Sequence, residues 1–471
     1  MTQRTRQKQR ASMDSFENPF ITPFKPPENE TEEERIHRAR ALQDAQRVSR
    51  EIDESLQETK RLLDRRKKGM RILLLGQAES GKSAVLKNFQ LAFTPNQFRK
   101  ERGVWKTIIQ LNLISSVKAI FNVLNETESE FSTQLPLTPP QSPGSSVNNS
   151  KLRRIHLSLK PLLSMDADLN KILFSAGSTR EICVAAGSRW KFKLGFRDST
   201  STRESSDSNS DLYHLTNAQN ATRNNFVKLL EASKDDIISL WQDENVQSSL
   251  EEQGVDLRAS PGFFMDDVER IAASGYQPTD SDIVRARVRT VGVEEHHLVA
   301  ESIALKGSDF YITDVSGMRS SRSSWIPFFD DSQAILFLAP LTFNQMLDED
   351  NHVNRLEDSL MLWKDICKNE LLANCNIIIF FNKMDILRRT LQSGVEVRKF
   401  VPSYGDAPND VASVTKYFKD RFKTYHKKLS PKPRSFISHE TSAIDVHSTT
   451  ALVVTVHDGI IRENLQRSDM I

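Results

Sequence analysis

Residues 71–84 read Arg71-Ile-Leu-Leu-Leu-Gly-Gln-Ala-Glu-Ser-Gly-Lys-Ser-Ala84. The apolar run Ile72 to Leu75 spells a short buried strand. It breaks at Gly76, and a helix restarts near Lys82, its apolar side carried by Val85, Leu86 and Phe89. Between strand and helix lies G-x-x-x-x-G-K-S, Gly76 to Ser83. That spacing suits a triphosphate. The glycines let backbone N–H groups turn inward, the helix start favours an anion, Lys82 reaches the outer phosphates, and Ser83 offers a hydroxyl to Mg²⁺. The bland alternative is a glycine-bearing turn with a solvated lysine, but the flanking strand and helix are the context a phosphate loop requires.

The chain around this stretch has 471 residues, enough for about two to four domains. Apolar residues make up 38%, so part of the chain is expected to fold around no core. A net charge of +2 argues against nucleic acid as the main partner. Cys183, Cys367 and Cys375 show no C-x-x-C spacing, which fits packing thiols in a reducing compartment. No apolar signal core opens the sequence, and no apolar run is expected to approach the ~20 residues that span a bilayer. These features predict a cytoplasmic or peripherally attached protein.

Residues 1–30 are polar and proline-bearing, with a basic arm at Arg4, Arg6, Lys8 and Arg10, and predict a disordered tail. Residues 31–68 lack Gly and Pro and set a thin apolar stripe (Ile36, Leu42, Ile52, Leu56, Leu63) in a charged surface. This predicts a long exposed helix that is either a solvated arm or docks on a partner. Helical patterning covers 93–125 and returns over 217–247 and 262–273, while the Ser/Thr/Pro-rich stretches 126–150 and 198–210 read as disordered inserts. Within the first, Thr138 and Ser142 each precede Pro and are candidate phosphorylation sites. From residue 282 strands alternate with helices. The expected strands are 298–305, 309–314, 334–338, 376–381 and 435–439, and the expected helices 354–367, 410–429 and 449–467. The helical block therefore reads as an insertion into an α/β nucleotide-binding domain.

Later segments narrow the ligand. Ile377 to Phe381 is a buried strand ending in Asn382-Lys383-Met384-Asp385. An N-K-x-D there reads guanine: the Asp385 carboxylate accepts from N1–H and the exocyclic amine, Asn382 holds the base's other edge, and the Lys383 stem packs over the ring. Tyr311 to Asp314, followed by Val315-Ser316-Gly317, is another strand end that places Asp314 near Mg²⁺ and the Gly317 N–H at the γ-phosphate. Before it, Thr290 offers a second hydroxyl to Mg²⁺, and an arginine of the run Arg285, Arg287, Arg289 can neutralise the transferring phosphate.

Taken in order, these residues resemble the heterotrimeric G-protein α subunits. The matching segments are Gly76 to Ser83; Asp282-Ile-Val-Arg-Ala-Arg-Val-Arg-Thr-Val-Gly-Val293; Asp314-Val-Ser-Gly-Met-Arg319; Asn382 to Asp385; and Thr441-Ser-Ala-Ile-Asp445. Phe263 to Ile271 resembles the end of the family's helical domain and Asn354 to Leu360 the helix after its third switch. The resemblance covers about residue 49 to the end, interrupted by the Ser-rich inserts. It implies a Ras-like P-loop GTPase domain (70–92 and 283–471), an inserted all-helical domain (93–282) and a long N-terminal helix (31–69) that binds a βγ dimer. It implies that Glu79, Ser80, Gly81, Lys82, Ser83 and Ala84 bind phosphates and that Ser83 and Thr290 hold Mg²⁺. Arg287 would be the built-in arginine finger, Arg285 and Ser260 would line the cleft, and Asp314 and Gly317 would face the γ-phosphate. Asn382, Lys383, Asp385 and Ala443 would hold the guanine of GTP or GDP. Leu347 to Asp350 would form the third switch, and Asn464 to Ile471 would face a receptor. A downstream effector and an RGS-type activator complete the implied partners.

The sequence also departs from that family. Met318 stands where the motif has the Gln that orients the attacking water, and a thioether donates no hydrogen bond. Ser316 replaces a glycine, and Ser321, Ser323 and Ser324 replace Glu and two lysines. The start Met-Thr-Gln lacks the glycine that myristoylation needs, and no cysteine precedes Cys183 for palmitoylation. Attachment at the inner face of the plasma membrane would then run through partners. The expectation is GTP binding with slow hydrolysis. The alternatives are a GTP-binding module with negligible turnover and a degenerate scaffold.

Overall fold

The structure, a computed structural model, describes residues 31–133, 143–173, 183–185, 209–301 and 308–467. The expected tail 1–30, the phosphorylation candidates Thr138 and Ser142, most of the second Ser-rich tract and the last four residues lie outside these.

Helix α1, Glu32–Lys68, is a unit by itself. A reciprocal cap starts it: Thr31 N donates to Glu34 Oε2 at 2.9 Å, and Glu34 N donates to Thr31 Oγ1 at 3.4 Å. Three glutamates in its first turn and four basic residues in its last complement the helix dipole. None of its side chains is buried, so Ile36, Ile52, Leu56 and Leu63 stay exposed along the stripe. Pairs such as Arg47–Glu51, at 3.1 Å, contribute only about 0.3–0.5 kcal/mol each.

The second unit, 69–471, holds a six-stranded sheet of order β10-β9-β6-β1-β5-β4. Its strands are β1 (Met70–Leu75), β4 (Val293–Val299), β5 (Asp309–Val315), β6 (Ala334–Pro340), β9 (Asn376–Asn382) and β10 (Ile437–Glu440). All neighbours pair parallel except β4, which runs antiparallel on β5. The period-two geometry of β1 divides its apolar run between two layers. Ile72 and Leu74 pack under α2 (Lys82–Phe93) and a late helix, Val446–Arg467, beside Val85, Phe89 and Val453. Leu73 and Leu75 pack on the opposite face against Trp363 and Phe418. Trp363 is fully buried, with Nε1 donating to Phe422 O at 2.9 Å and its ring 5.1 Å from Phe337. Trp363→Ala is expected to cost about 3–5 kcal/mol, read as a lower denaturant midpoint.

A separate helical core contains α3 (Arg102–Thr133), α4 (Pro143–Leu173), α5 (Asn209–Ala232), α6 (Lys234–Trp241) and α7 (Glu244–Glu252). Ile108, Ile114, Leu159, Phe226 and Leu240 close it with no exposed surface. Arg102–Asn125 is, by length and composition, long and apolar enough to cross a membrane, contrary to the sequence expectation. Its apolar side chains instead bury against the other helices of this core.

Of the two expected inserts only the edges are described: α3 runs on to Thr133, α4 begins at Pro143, where the missing N–H of proline costs nothing, and α5 begins at Asn209. On the sheet, the strand expected at 298–305 runs instead from Val293 to Val299. Its Glu294, Glu295, His296 and His297 alternate on an edge strand, so no apolar run marks it. Short strands β2 (Cys183–Ala185) and β3 (Arg289–Val291) pair with each other, and β7 (Met346–Leu347) with β8 (Asp350–Asn354); none of the four was among the expected strands.

Candidate functional site

The loop after β1 turns on unusual backbone. Gly76, Glu79 and Gly81 have φ of 147°, 62° and 102°. Glycine tolerates such angles freely, and Glu79 is held there by two ion pairs described below. Close approach also demands glycine: a Cβ on Gly81 would sit 2.2 Å from Asn382 Nδ2, and one on Gly317 would sit 2.3 Å from Ala78 N. Gly317 O in turn accepts from Ala78 N at 3.1 Å, laying the end of β5 on the loop.

Lys82 Nζ is buried and donates to Gly76 O and Gln77 O, both at 2.9 Å. Burial pushes its ammonium down to about 8, against the pull of Asp314. A phosphate would restore the charged form, so binding between that value and the bound one takes up a proton, and affinity falls as pH rises through 8. Titration calorimetry of GTP binding at about pH 8.5, in two buffers of different ionisation heat, should show net proton uptake. Absence of uptake would contradict this role for Lys82.

Hard oxygen donors converge beside it. Ser83 Oγ donates to Asp314 Oδ2 at 3.1 Å, which places a hydroxyl and a carboxylate together at the start of α2. That donor chemistry fits Mg²⁺. Thr290 lies in β3, paired with Val184, and its side chain is outside the described residues. Trp325 Nε1 donates to Ser316 O at 2.9 Å and anchors the following segment.

Glu79 joins the two halves of the site. Its carboxylate lies 2.6 Å from Arg287 Nη2 and 2.8 Å from Arg355 Nη2. Burial alone would raise its pKa, but the Arg287 and Arg355 guanidiniums hold it at about 2. Arg355, only 4% exposed, also meets Asp348 at 2.6 Å. Asn112 brackets the Arg287 peptide, with Arg287 N donating to Oδ1 at 2.7 Å and Nδ2 donating to Arg287 O at 3.0 Å. Arg285 is committed to the helical side, to Asp267 Oδ2 at 3.0 Å and Phe263 O at 2.8 Å.

At the other end, β9 delivers Asn382 and then Lys383, in the left-handed region at φ 61°. Asn382 Nδ2 donates to Ser80 O at 2.7 Å, while its Oδ1 accepts from Thr441 Oγ1 at 3.1 Å and Ala443 N at 2.9 Å. It braces the phosphate loop to the Thr441–Ala443 turn, which leaves one amide hydrogen for a base. Burial pushes Lys383 down to about 8, partly offset by Glu79. Asp385 opens the helix Met384–Gln392 and is hydrogen-bonded to Ser442 Oγ.

These groups line one cavity of about 900 Å³ at the C-terminal ends of the parallel strands, where ligands of open α/β sheets bind. On the loop side the wall is Glu79, Gly81, Lys82, Ser83 and Ala84. On the helical side it is Ser260, Arg285 and Arg287. Asp314, Gly317 and Met318 follow, then Asn382, Lys383, Asp385 and Ala443. Ser80 is fully buried, and its Oγ has no hydrogen-bond partner among the described residues. The small residue lets the loop close over Gly76, whose Cβ position lies 2.7 Å from that Oγ. Asp348 lay inside the segment Leu347 to Asp350, but Arg355 and Asn112 were not singled out individually from sequence. Arg355 stood within the matched segment 354–360, and Asn112 was a polar residue inside an apolar helix, so both carried a signal.

The sequence model of the G-protein alpha subunit matches residues 46–460. The chain belongs to the G-protein α subunit family. A guanine nucleotide-binding protein alpha-4 subunit of Mycosarcoma maydis is 27% identical, with 96% of each chain covered. A subunit alpha of Candida albicans is 28% identical over 91% of this chain and 95% of its own. The alpha-1 subunit of Saccharomyces cerevisiae is 27% identical over 89% and 94%. This α subunit therefore carries the family's Ras-like fold with an added helical part. Members of the family bind guanine nucleotide, typically with Mg²⁺, hydrolyse GTP, and work in general with a G-protein βγ dimer and a receptor.

Proposed function

We propose that this α subunit binds GTP in the 900 Å³ cavity, transduces a receptor signal, and cleaves the nucleotide slowly. The observation that carries the reading is that both the phosphate loop and Asp385 line one cavity, with Met318 where a hydrogen-bonding side chain is needed. Lys82 would leave the carbonyls of Gly76 and Gln77 for the outer phosphates. Ser83, Thr290 and Asp314 would hold Mg²⁺, which when bound neutralises charge on the phosphates. Arg287 would exchange Glu79 for the transferring phosphate. Asp385 would accept from the guanine edge over the Lys383 stem, while Asn382 and Ala443 fix that pocket.

Met318 is half-buried on the cavity wall and has no N–H with which to orient a water. A scaffold without nucleotide is disfavoured by the intact loop and base pocket. The exposed apolar stripe of α1 supports βγ docking, because Ile52 and Leu56 are 53% and 61% exposed. The C-terminal residues would meet the receptor, and association with the inner face of the plasma membrane would run through these partners. A single-turnover assay of bound GTP, with and without an RGS-type activator, tests the slow step. Release of phosphate at ordinary family rates without activator would contradict it.

A further inference from the structure

Between residues 411 and 434 the chain places six lysines and two arginines against one carboxylate, Asp420. In a chain of net charge +2 this is a local concentration of positive charge, and most of it lies on the helix Val411–Leu429. Three of these cations have partners. Arg434 donates to Leu372 O and Cys367 O, both at 2.7 Å, Lys432 donates to Asn374 Oδ1 at 2.9 Å, and Arg421 donates to Tyr417 Oη at 2.8 Å. The other five do not: among the described residues Lys416, Lys419, Lys423, Lys427 and Lys428 have no hydrogen bond or ion pair. Lys419 is half-buried and the remaining four are exposed. The apolar face of the helix decides where they point. Val414, Phe418 and Phe422 are buried in the same core as Trp363, which turns the opposite side to solvent. Lys416, Lys419, Lys423 and Lys427 follow one another at steps of three, four and four residues, and so form one stripe about 16 Å long. Asp420 offsets one of these charges. On the neighbouring helix, Arg355–Lys368, the exposed Asp365 is already paired with Lys368 at 2.7 Å.

We infer that this lysine stripe lies against an anionic lipid surface, a direct and reversible membrane contact beside the attachment through partners. The inference is independent of the nucleotide reading, since none of the five lysines lines the cavity. Charge complementarity carries it. A straight row of cations on a convex helix meets a plane along its whole length, and each lysine near an anionic leaflet adds to the attraction. Residue type separates a membrane from an acidic protein segment. A lysine ammonium is a hydrated point charge on a flexible stem, which suits a field of mobile headgroups. Carboxylates held in fixed geometry are matched by guanidinium forks, and the arginine on the exposed side, Arg421, is engaged with Tyr417.

The test is co-sedimentation of the full chain, without other subunits, with vesicles of phosphatidylcholine alone or with about a third phosphatidylserine. The chain should partition onto the anionic vesicles, and less so as salt rises. Lys416→Gln/Lys419→Gln/Lys423→Gln/Lys427→Gln should weaken that partitioning by about a hundredfold. The arginine counterpart at the same four positions should retain it. A matched control removes four exposed cations from the helical core, Lys100→Gln/Arg153→Gln/Arg154→Gln/Lys160→Gln, and should keep most of it. An unchanged thermal midpoint in the glutamine variant shows that the loss is not unfolding, and retention by the arginine variant shows the same independently. Equal partitioning onto neutral and anionic vesicles, or an equal loss in the control, would overturn the stripe as a lipid contact. So would unchanged partitioning of the glutamine variant. If that variant had meanwhile lost binding to a poly-glutamate peptide, the stripe would belong to an acidic protein partner instead.

Discussion

Asp385→Asn is expected to lower affinity for guanine nucleotides by about 10²–10⁴ and to raise affinity for xanthine nucleotides. A carboxylate in the position of Asp385 accepts from guanine N1–H and from the exocyclic amine. Two hydrogen bonds to a charged group are worth about 3–6 kcal/mol together, which sets that range. An amide there presents its own N–H₂ to one of those donors. Xanthine replaces the exocyclic amine with a carbonyl, which that N–H₂ satisfies. The surroundings of Asp385 favour a clean result. The residue opens a helix and is steadied by Ser442, while Asn382 independently ties the same turn to the phosphate loop through Ser80 O and Ala443 N. The swap should therefore change recognition without loosening the pocket. Competition between GTP and xanthosine triphosphate for a radiolabelled, slowly hydrolysed GTP analogue reads both changes, and unaltered GTP affinity would show that Asp385 does not read the base.

Met318→Gln is expected to accelerate single-turnover hydrolysis by about 10²–10³, the usual value of one preorganised donor at a developing charge. The side chain lies on the cavity wall directly after Gly317, whose carbonyl is tied to Ala78 N at 3.1 Å. The next amide, Arg319 N, donates to Glu349 at 3.0 Å, and the Arg319 guanidinium meets Asp350 at 2.6 Å. Position 318 is thus held from both sides, and the backbone needs no new support for a glutamine. An amide gains what the thioether lacks, a donor and a strong acceptor for the attacking water. The remaining parts, Arg287 and the Ser83–Asp314 pair, are unchanged by the substitution. Quenched-flow measurement of phosphate release from preloaded GTP checks this. No gain with glutamine would mean that another group already orients the water or that a different defect limits the step.

Much of the sheet was legible because its chemistry repeats locally. Ile72–Leu75 and Ile377–Phe381 are apolar on every residue, as strands covered on both faces must be, and the structure buries each of them. Strand β4 was placed several residues late because Glu294, Glu295 and His296 look like a loop until β5 is beside them. The site divides in the same way. Lys82, Asp314 and Asp385 sit at fixed offsets from glycines and strand ends, so spacing finds them. Arg355 and Asp348 matter through contacts with Glu79, 276 and 269 residues away in the chain, if one counts along the numbering. No local pattern encodes such a meeting. The burial of the Ser80 side chain was not legible for a related reason. The motif marks the loop as a whole, and which side chains turn inward depends on Asn382 pulling on the Ser80 carbonyl.

Equilibrium binding of a slowly hydrolysed GTP analogue to the purified chain, with and without Mg²⁺ and against GTP, GDP and ATP, tests the central claim most directly. One analogue should bind per chain, weaken on chelation of Mg²⁺, and yield to GTP and GDP but not to ATP. Displacement by ATP as readily as by GTP, or no binding at all, would contradict a guanine nucleotide site built from Lys82, Ser83 and Asp385.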